Sequence, residues 1–185
     1  MTEPNTARIL LVDDEPAIAH SLRRALRQEF GGSLVVDTCH SGEDAIELLL
    51  ARRFDAVISD LHMPGMSGMA FLERAAQIQP ECVRMILSGS TEFTTVQRSV
   101  NTLGVFRYLT KPWSDDDVAT HVREALRHGA TLRVQRDQAE AWAASRGQIS
   151  VQELERRRLE QMEPGITQVE WALDGSVIMP PLDSA

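Results

Sequence analysis

Residues 55–68 read DAVISDLHMPGMSG, a short apolar run that stops at an acid and is followed by a turn. The segment Ala56–Ile58 predicts a strand buried on both faces, because apolar residues without polar alternation suit a parallel strand. Asp60 stands at the carboxyl end of this strand, and Pro64 and Gly65 then turn the chain. Ligands bind at that edge of an open parallel sheet, so we expect Asp60 to present a solvent-facing carboxylate on a rigid strand tip.

The composition is typical of a globular protein, with 185 residues of which 43% are hydrophobic and a formal net charge of −8. An acidic chain lacks the clustered Lys and Arg that phosphate binding needs, so we expect no nucleic-acid binding. Arg156–Arg158 lies among glutamates, which is typical of a solvated helix face. Cys39 and Cys82 have no metal or redox spacing, and no signal sequence or membrane-length apolar run occurs. We therefore expect a cytoplasmic protein with reduced thiols and no membrane partner.

Strand and helix patterns alternate over the first two-thirds of the chain. The apolar runs predict five strands, and a helical pattern follows each of them. Five such units predict an α/β fold in which a parallel sheet carries helices on both faces. The predicted strands are Ile9–Val12, Leu34–Val36, Ala56–Ile58, Val83–Leu87 and Val105–Leu109, and the predicted helices are Pro16–Phe30, Ser41–Leu50, Met69–Ile78, Thr91–Asn101 and one that begins at Ser114.

Polar residues follow four of the predicted strands. Asp13 and Asp14 come after the first strand, Asp60 after the third, Ser88 after the fourth and Lys111 after the fifth. Three carboxylates at one sheet edge repel one another unless a hard cation lies among them, and Mg²⁺ prefers such oxygen ligands. A hydroxyl and an ammonium nearby suit the oxygens of a phosphoryl group carried by a carboxylate. The sequence therefore predicts aspartyl phosphorylation at this edge.

Each of these residues also has a simpler interpretation when taken alone. Asp13 and Asp14 are suitable caps for the helix that starts at Pro16. Lys111 is ordinarily an exposed cation, and Tyr108 is more often a core aromatic than a switch. Only the coincidence of all these residues at one sheet edge favours the functional interpretation.

Four motifs, in this order and spacing, resemble the response-regulator receiver domain of two-component signalling. They are LVDDE at 11–15, SDLHMPGMSG at 59–68, LSG at 87–89 and YLTKP at 108–112. The resemblance covers residues 8–128 and implies a doubly wound, CheY-like sheet in the order 2-1-3-4-5. Residues 103–113 also resemble receivers attached to hydrogenase-type regulators and to cyclic-di-GMP phosphodiesterases.

The resemblance implies a phosphoacceptor and a metal site. Asp60 would accept the phosphoryl group from a sensor histidine kinase or a phosphotransfer protein. Asp13, Asp14 and Asp60 would bind Mg²⁺ together with the backbone carbonyl of His62.

The resemblance also implies a switch. Ser88 and Lys111 would contact the phosphoryl oxygens, and Tyr108 would move inward when Ser88 is drawn to the phosphate. The bond between Lys111 and Pro112 would be cis.

The chain beyond His128 departs from the receiver pattern. Residues 129–163 have a helical composition, which predicts that the fifth helix extends to about Met162, about 70 Å at 1.5 Å per residue. Apolar residues near a 3–4 spacing predict a dimerising coiled coil, and a flexible charged linker is the alternative. Residues 1–7 are expected to be disordered, and residues 164–185 to form a β-hairpin and a tail, with the hairpin docked through Trp171. The predicted seam comprises Val118, Val122, Ala125, Leu132, Ala139 and Ala143.

The segment after the receiver is too short for a phosphodiesterase, cyclase or ATPase domain of ordinary size. We therefore expect a phosphoryl-switched homodimer that contacts a downstream protein target through its C-terminal helix and hairpin, without metabolic turnover. One alternative is a phosphorylation-independent dimeric scaffold. Another is a Mg²⁺-dependent phosphohydrolase, a class with an Asp-x-Asp nucleophile motif after its first strand. This chain departs from that motif, because Asp13 and Asp14 are adjacent and Asp60 precedes Leu61 and His62.

Overall fold

The computed structural model describes residues 6–89, 104–146, 150–162, 170–171 and 177–178. The helix predicted at Thr91–Asn101 lies outside the described residues, as do the turn of the predicted hairpin and the tail. Residues 1–5 also lie outside them, whereas Ala7, which was expected in a disordered N-terminus, begins the first strand.

A five-stranded sheet forms the centre of the molecule, in the order β2-β1-β3-β4-β5. All four neighbouring pairs are parallel. This confirms the predicted α/β class and the doubly wound strand order. The strands are β1 (Ala7–Val12), β2 (Leu34–Cys39), β3 (Ala56–Asp60), β4 (Val83–Gly89) and β5 (Arg107–Lys111).

Five α-helices are described beside the sheet. Four of them follow a serine whose hydroxyl accepts a hydrogen bond from the N–H three residues further on, as N-caps do. These serines are Ser41, Ser67, Ser114 and Ser150. The helices are α1 (Pro16–Phe30), α2 (Gly42–Ala51), α3 (Gly68–Ile78), α4 (Asp115–Ser145) and α5 (Val151–Met162).

The core has two layers because successive side chains of each strand point to opposite faces of the sheet. Leu10 and Val12 belong to a cluster that contains residues of α2 and α3. Ile9 and Leu11 belong to the second cluster, which contains residues of α1 and α4. The absence of polar alternation in the strands is thus explained by helices on both faces.

The C-terminal extension consists of two helices rather than the one continuous helix that we predicted. α4 ends at Ser145 and α5 begins at Val151. The sequence places Gly147 between them, and glycine costs about 1 kcal/mol relative to alanine inside a helix.

The predicted coiled-coil seam is wrong over its first half. Val118, Val122 and Ala125 are at most 1% exposed, because they pack into the receiver's own core. Heptad-like spacing identified an apolar helix face here, but that face is already covered within the same chain.

Near the C-terminus, β6 (Glu170–Trp171) pairs with β7 (Val177–Ile178) in antiparallel fashion. This confirms the predicted strand pairing, while docking through Trp171 stays a prediction. Among the described helices, none combines the length and the apolar composition needed to cross a lipid bilayer.

Candidate functional site

The predicted site residues meet at the carboxyl edge of the sheet. Asp60 is the last residue of β3 and Lys111 the last of β5, while Asp13 follows β1 directly. Ser88 is the penultimate residue of β4 and pairs with Thr110, one residue before Lys111. The parallel register therefore brings together residues that are far apart in sequence.

Three carboxylates form a compact acidic cluster at this edge. Asp13, Asp14 and Asp60 each offer an oxygen, and these oxygens all lie within 4.8 Å of one another. Asp13 is 3% exposed and Asp60 is 8% exposed, whereas Asp14 is half-buried. The expectation that Asp60 faces solvent is therefore wrong, and its carboxylate lies instead against those of Asp13 and Asp14 and against the ammonium of Lys111.

Lys111 supplies the positive charge of the cluster. Its Nζ lies 2.8 Å from Asp13 Oδ2 and 3.1 Å from Asp60 Oδ1. Burial by itself lowers the pKa of Lys111, but the hydrogen bonds and charges of the two carboxylates outweigh it, so the pKa of Lys111 is raised. Lys111 is consequently an ammonium ion shared between the two buried acids.

Asp60 is an unusually weak acid in this environment. Burial raises the pKa of Asp60, the hydrogen bond and charge of Lys111 oppose the increase, and the charge of Asp13 adds to it. The net direction is upward, so a single ammonium does not fully compensate this carboxylate. A further cation among the three oxygens would favour the ionised form.

The donor set fits Mg²⁺. Carboxylate oxygens are hard ligands, and two ligands on opposite sides of a magnesium ion are about 4.2 Å apart. The three carboxylate oxygens all lie within 4.8 Å of one another, which is close to that spacing. Asp13 is held in place because its Oδ1 accepts a hydrogen bond of 3.0 Å from the N–H of Glu15. The His62 side chain is exposed in the loop after β3, and the role of its backbone carbonyl as a ligand stays a prediction.

The loop after β3 returns tightly onto the strand end that carries Asp60. The N–H of Gly68 donates to the carbonyl of Leu61 at 3.0 Å. A Cβ added at Gly68 would lie 1.8 Å from the carbonyl oxygen of Asp60, which leaves no room for a side chain. Sequence reasoning missed this contact, although a glycine directly after the capping Ser67 is a signal for it.

Two further residues of the edge belong to the predicted switch. Ser88 is 1% exposed, and the hydroxyl of the half-buried Tyr108 donates to the carbonyl of Gly89 at 2.9 Å. The aromatic ring is thus linked to the residue that follows Ser88. The peptide bond between Lys111 and Pro112 is cis, as the resemblance implied.

Residues 9–123 match the family model of the response regulator receiver domain. The match covers more than half of the chain, and the chain therefore belongs to the response regulator receiver domain family.

Several curated relatives are transcriptional regulators. The hydrogenase transcriptional regulatory protein HoxA of Cupriavidus necator is 37% identical over 120 residues, which are 65% of this chain and 24% of that protein. The DNA-binding transcriptional regulator NtrC of Escherichia coli is 32% identical over 120 residues, which are 65% of this chain and 25% of that protein. The chain thus matches about a quarter of each relative, and the expected absence of nucleic-acid binding stays a prediction.

Solved structures are similar over most of their own length. The signal receiver domain of an HD domain-containing protein from Pseudomonas fluorescens has 31% identity and a TM-score of 0.65, covering 72% of this chain and 96% of that one. The structure named adenylate cyclase from Rhodopirellula baltica has 30% identity and a TM-score of 0.67, covering 73% and 98%.

Proposed function

We propose that this protein is a response regulator that accepts a phosphoryl group on Asp60, with Mg²⁺ bound by Asp13, Asp14 and Asp60. The observation that carries the proposal is the junction of three carboxylates and one ammonium at a nearly buried sheet edge. Such a site concentrates negative charge at one position and holds a cation there. Phosphoryl transfer requires both features.

In the proposed reaction, a carboxylate oxygen of Asp60 attacks the phosphorus atom of a phosphohistidine or of acetyl phosphate. The bond between phosphorus and the donor breaks, its electron pair leaves with the donor, and Asp60 becomes an acyl phosphate. Lys111, 3.1 Å from Asp60, pairs with the phosphoryl oxygens, and the Ser88 hydroxyl binds another of them. When bound, Mg²⁺ neutralises charge on the transferring group. Slow attack by water restores the carboxylate, so the protein acts as a switch without metabolic turnover.

The proposed partners follow from this chemistry. A sensor histidine kinase or a phosphotransfer protein supplies the phosphoryl group, and the output is contact with a downstream protein target or with a second copy. The link from Tyr108 to Gly89, next to Ser88, supports Tyr108 as the element that responds when Ser88 turns toward the phosphate.

The test is acetyl phosphate labelling with Mg²⁺, measured by intact mass. We expect the wild type to gain one phosphoryl group that hydroxylamine removes, and Asp60→Asn to gain none. Asp44→Asn is the matched control, because Asp44 is an exposed aspartate in the first turn of α2, outside the site. Equal labelling of Asp60→Asn, or an unlabelled wild type, would overturn the proposal.

Two alternative outcomes have distinct signatures in the same experiment. A dimer that forms without any Asp60-dependent labelling would favour a phosphorylation-independent scaffold. Multiple-turnover release of phosphate from sugar phosphates would favour a phosphohydrolase.

A further inference from the structure

His40 lies in the loop between β2 and α2, and its side chain reaches the backbone of the acidic cluster. The Nδ1 atom of His40 lies 3.0 Å from the backbone oxygen of Asp13, a residue 27 positions earlier in the chain. A carbonyl oxygen only accepts hydrogen bonds, so Nδ1 must carry the hydrogen and donate it. The bond therefore joins the loop after β2 to the loop after β1.

This bond lies where the pairing of β1 with β2 ends. The two strands pair in parallel register as far as Val12 and Cys39, and the N–H of Asp13 donates to the carbonyl of Cys39 at 3.2 Å. In a parallel ladder, a residue that donates to one partner residue accepts from the N–H two positions after that partner. For Asp13 that N–H belongs to Ser41, but Ser41 caps α2 and the chain turns there into the helix. The imidazole of His40 thus supplies a donor to the Asp13 carbonyl at the point where the ladder stops.

The carbonyl that accepts this bond belongs to the peptide group between Asp13 and Asp14. A peptide group is planar, so a bond to its oxygen also fixes the direction of its N–H and the position of the next Cα atom, that of Asp14. Both residues contribute an oxygen to the acidic cluster, together with Asp60. The bond from His40 therefore affects the direction in which the two adjacent carboxylates leave the backbone.

The two adjacent acids differ in the other contacts of their side chains. Asp13 has a hydrogen bond at each carboxylate oxygen, since Oδ1 accepts from the N–H of Glu15 at 3.0 Å and Oδ2 accepts from Lys111 Nζ at 2.8 Å. Asp14 is half-buried, and within the described part of the chain its carboxylate makes no hydrogen bond and no ion pair. The direction of the Asp14 side chain consequently depends on its backbone, which is the part that His40 orients.

We propose that His40 is a positioning residue of the candidate metal site, which sets the affinity of Asp13 and Asp14 for Mg²⁺ by fixing the peptide group between them. The imidazole acts through the backbone and is not itself a ligand, because Mg²⁺ prefers oxygen ligands and Nδ1 already donates to the carbonyl. This inference rests on the Mg²⁺ part of the proposed function.

The size of the effect follows from the kind of bond. Groups that orient the ligands of a metal ion typically contribute about 10–100-fold to its affinity. His40 makes one hydrogen bond to a neutral carbonyl, and the residue is exposed to water, so we expect the lower end of this range. Removal of the donor should therefore raise the dissociation constant for Mg²⁺ about tenfold.

The first test compares His40→Leu with His40→Asn in the full chain. Leucine removes the donor, whereas Nδ2 of asparagine is the same number of bonds from the backbone as Nδ1 of histidine and also donates. Magnesium chloride is titrated into each protein while backbone amide chemical shifts are recorded, which measures the dissociation constant without any phosphodonor. We expect a constant about tenfold higher for His40→Leu and within about threefold of the wild type for His40→Asn. His20→Leu is the matched control and should leave the constant unchanged, because His20 is an exposed histidine on α1, outside the site.

The second test uses the dependence of acetyl phosphate labelling on Mg²⁺. In His40→Leu the Mg²⁺ concentration that gives half of the maximal rate should rise about tenfold, while the maximal rate stays within about twofold. A general loss of structure would instead lower the maximal rate at every Mg²⁺ concentration. Nitrogen NMR of the His40 ring in the wild type checks the bond directly, and Nδ1 should carry a hydrogen.

Equal Mg²⁺ affinity of His40→Leu and the wild type would overturn this inference, as would equal weakening by His40→Leu and His40→Asn, a lowered maximal rate, or an Nδ1 without a hydrogen. These results leave the labelling of Asp60 in the wild type intact. A wild type that binds Mg²⁺ but gains no phosphoryl group overturns the phosphoacceptor proposal alone. A wild type that binds no Mg²⁺ overturns both the metal site and the role of His40.

Discussion

Replacing Gly68 by alanine should damage the strand end that carries the phosphoacceptor candidate. The added Cβ would lie 1.8 Å from the carbonyl oxygen of Asp60 and 3.0 Å from the Cα of Leu61. A normal carbon–oxygen contact needs about 3.2 Å or more, so the backbone must move by more than about 1 Å. Overpacking of a well-filled site costs about 1–3 kcal/mol and occasionally more. We expect a loss of about 3 kcal/mol in the free energy of unfolding.

The assay is urea denaturation, with Gly32→Ala as the matched glycine substitution. A Cβ at Gly32 meets nothing within 4 Å, so this variant should keep or gain stability, by about 0.4–1 kcal/mol, because alanine restricts the unfolded chain. Gly68→Ala should also label more slowly with acetyl phosphate, since the Asp60 backbone is displaced. If the free energy of unfolding of Gly68→Ala lies within about 0.5 kcal/mol of the wild-type value, the close approach of residue 68 to the Asp60 carbonyl is not important for stability.

Three further substitutions test the buried polar groups. Lys111→Met leaves two buried carboxylates uncompensated and should cost about 3 kcal/mol or more at pH 7 in urea denaturation. Burial already raises the pKa of Asp60, and loss of the ammonium raises it further, so the cost should become smaller as the pH falls; a cost that does not change with pH would contradict this. Gln79→Leu removes the partners of one backbone N–H and two backbone carbonyls and should cost about 3 kcal/mol in the same assay. Burial raises the pKa of Cys82 from an ordinary value of 9.0 to about 12. The folded state therefore holds a proton that the unfolded state releases, so stability should fall by about 1.4 kcal/mol per pH unit above about pH 9, and Cys82→Ala should show a shallower slope.

The sheet and the position of the acids at one sheet edge could be predicted, because both depend on the pattern of short segments of sequence. An apolar run such as Ala56–Ile58 identifies a buried strand, and the parallel topology then places Asp13, Asp60 and Lys111 at one edge. Ser41 and Ser114 marked helix starts through a local hydrogen bond that needs no knowledge of the fold.

Other features depend on contacts that a single sequence does not reveal. The close return of Gly68 onto the backbone carbonyl of Asp60 is one such contact. Apolar spacing on α4 indicates a face to be covered, but it does not say whether the cover is the same domain or another chain. The pairing of Arg133 with Asp55 joins α4 to the residue before β3, far away in sequence, and such contacts show which side of α4 faces the receiver.

The ion pairs at the amino edge of the sheet also bear on how the receiver should be isolated. A fragment that stops at His128, the predicted end of the receiver, would lose Gly129 from its packing against Val83 and would strip Asp55 and Glu81 of their arginine partners. Two acids at the amino edge of the sheet would then lack these partners in a chain that is already acidic. Shortened versions or domain fusions should therefore keep these contacts and be joined after Arg136.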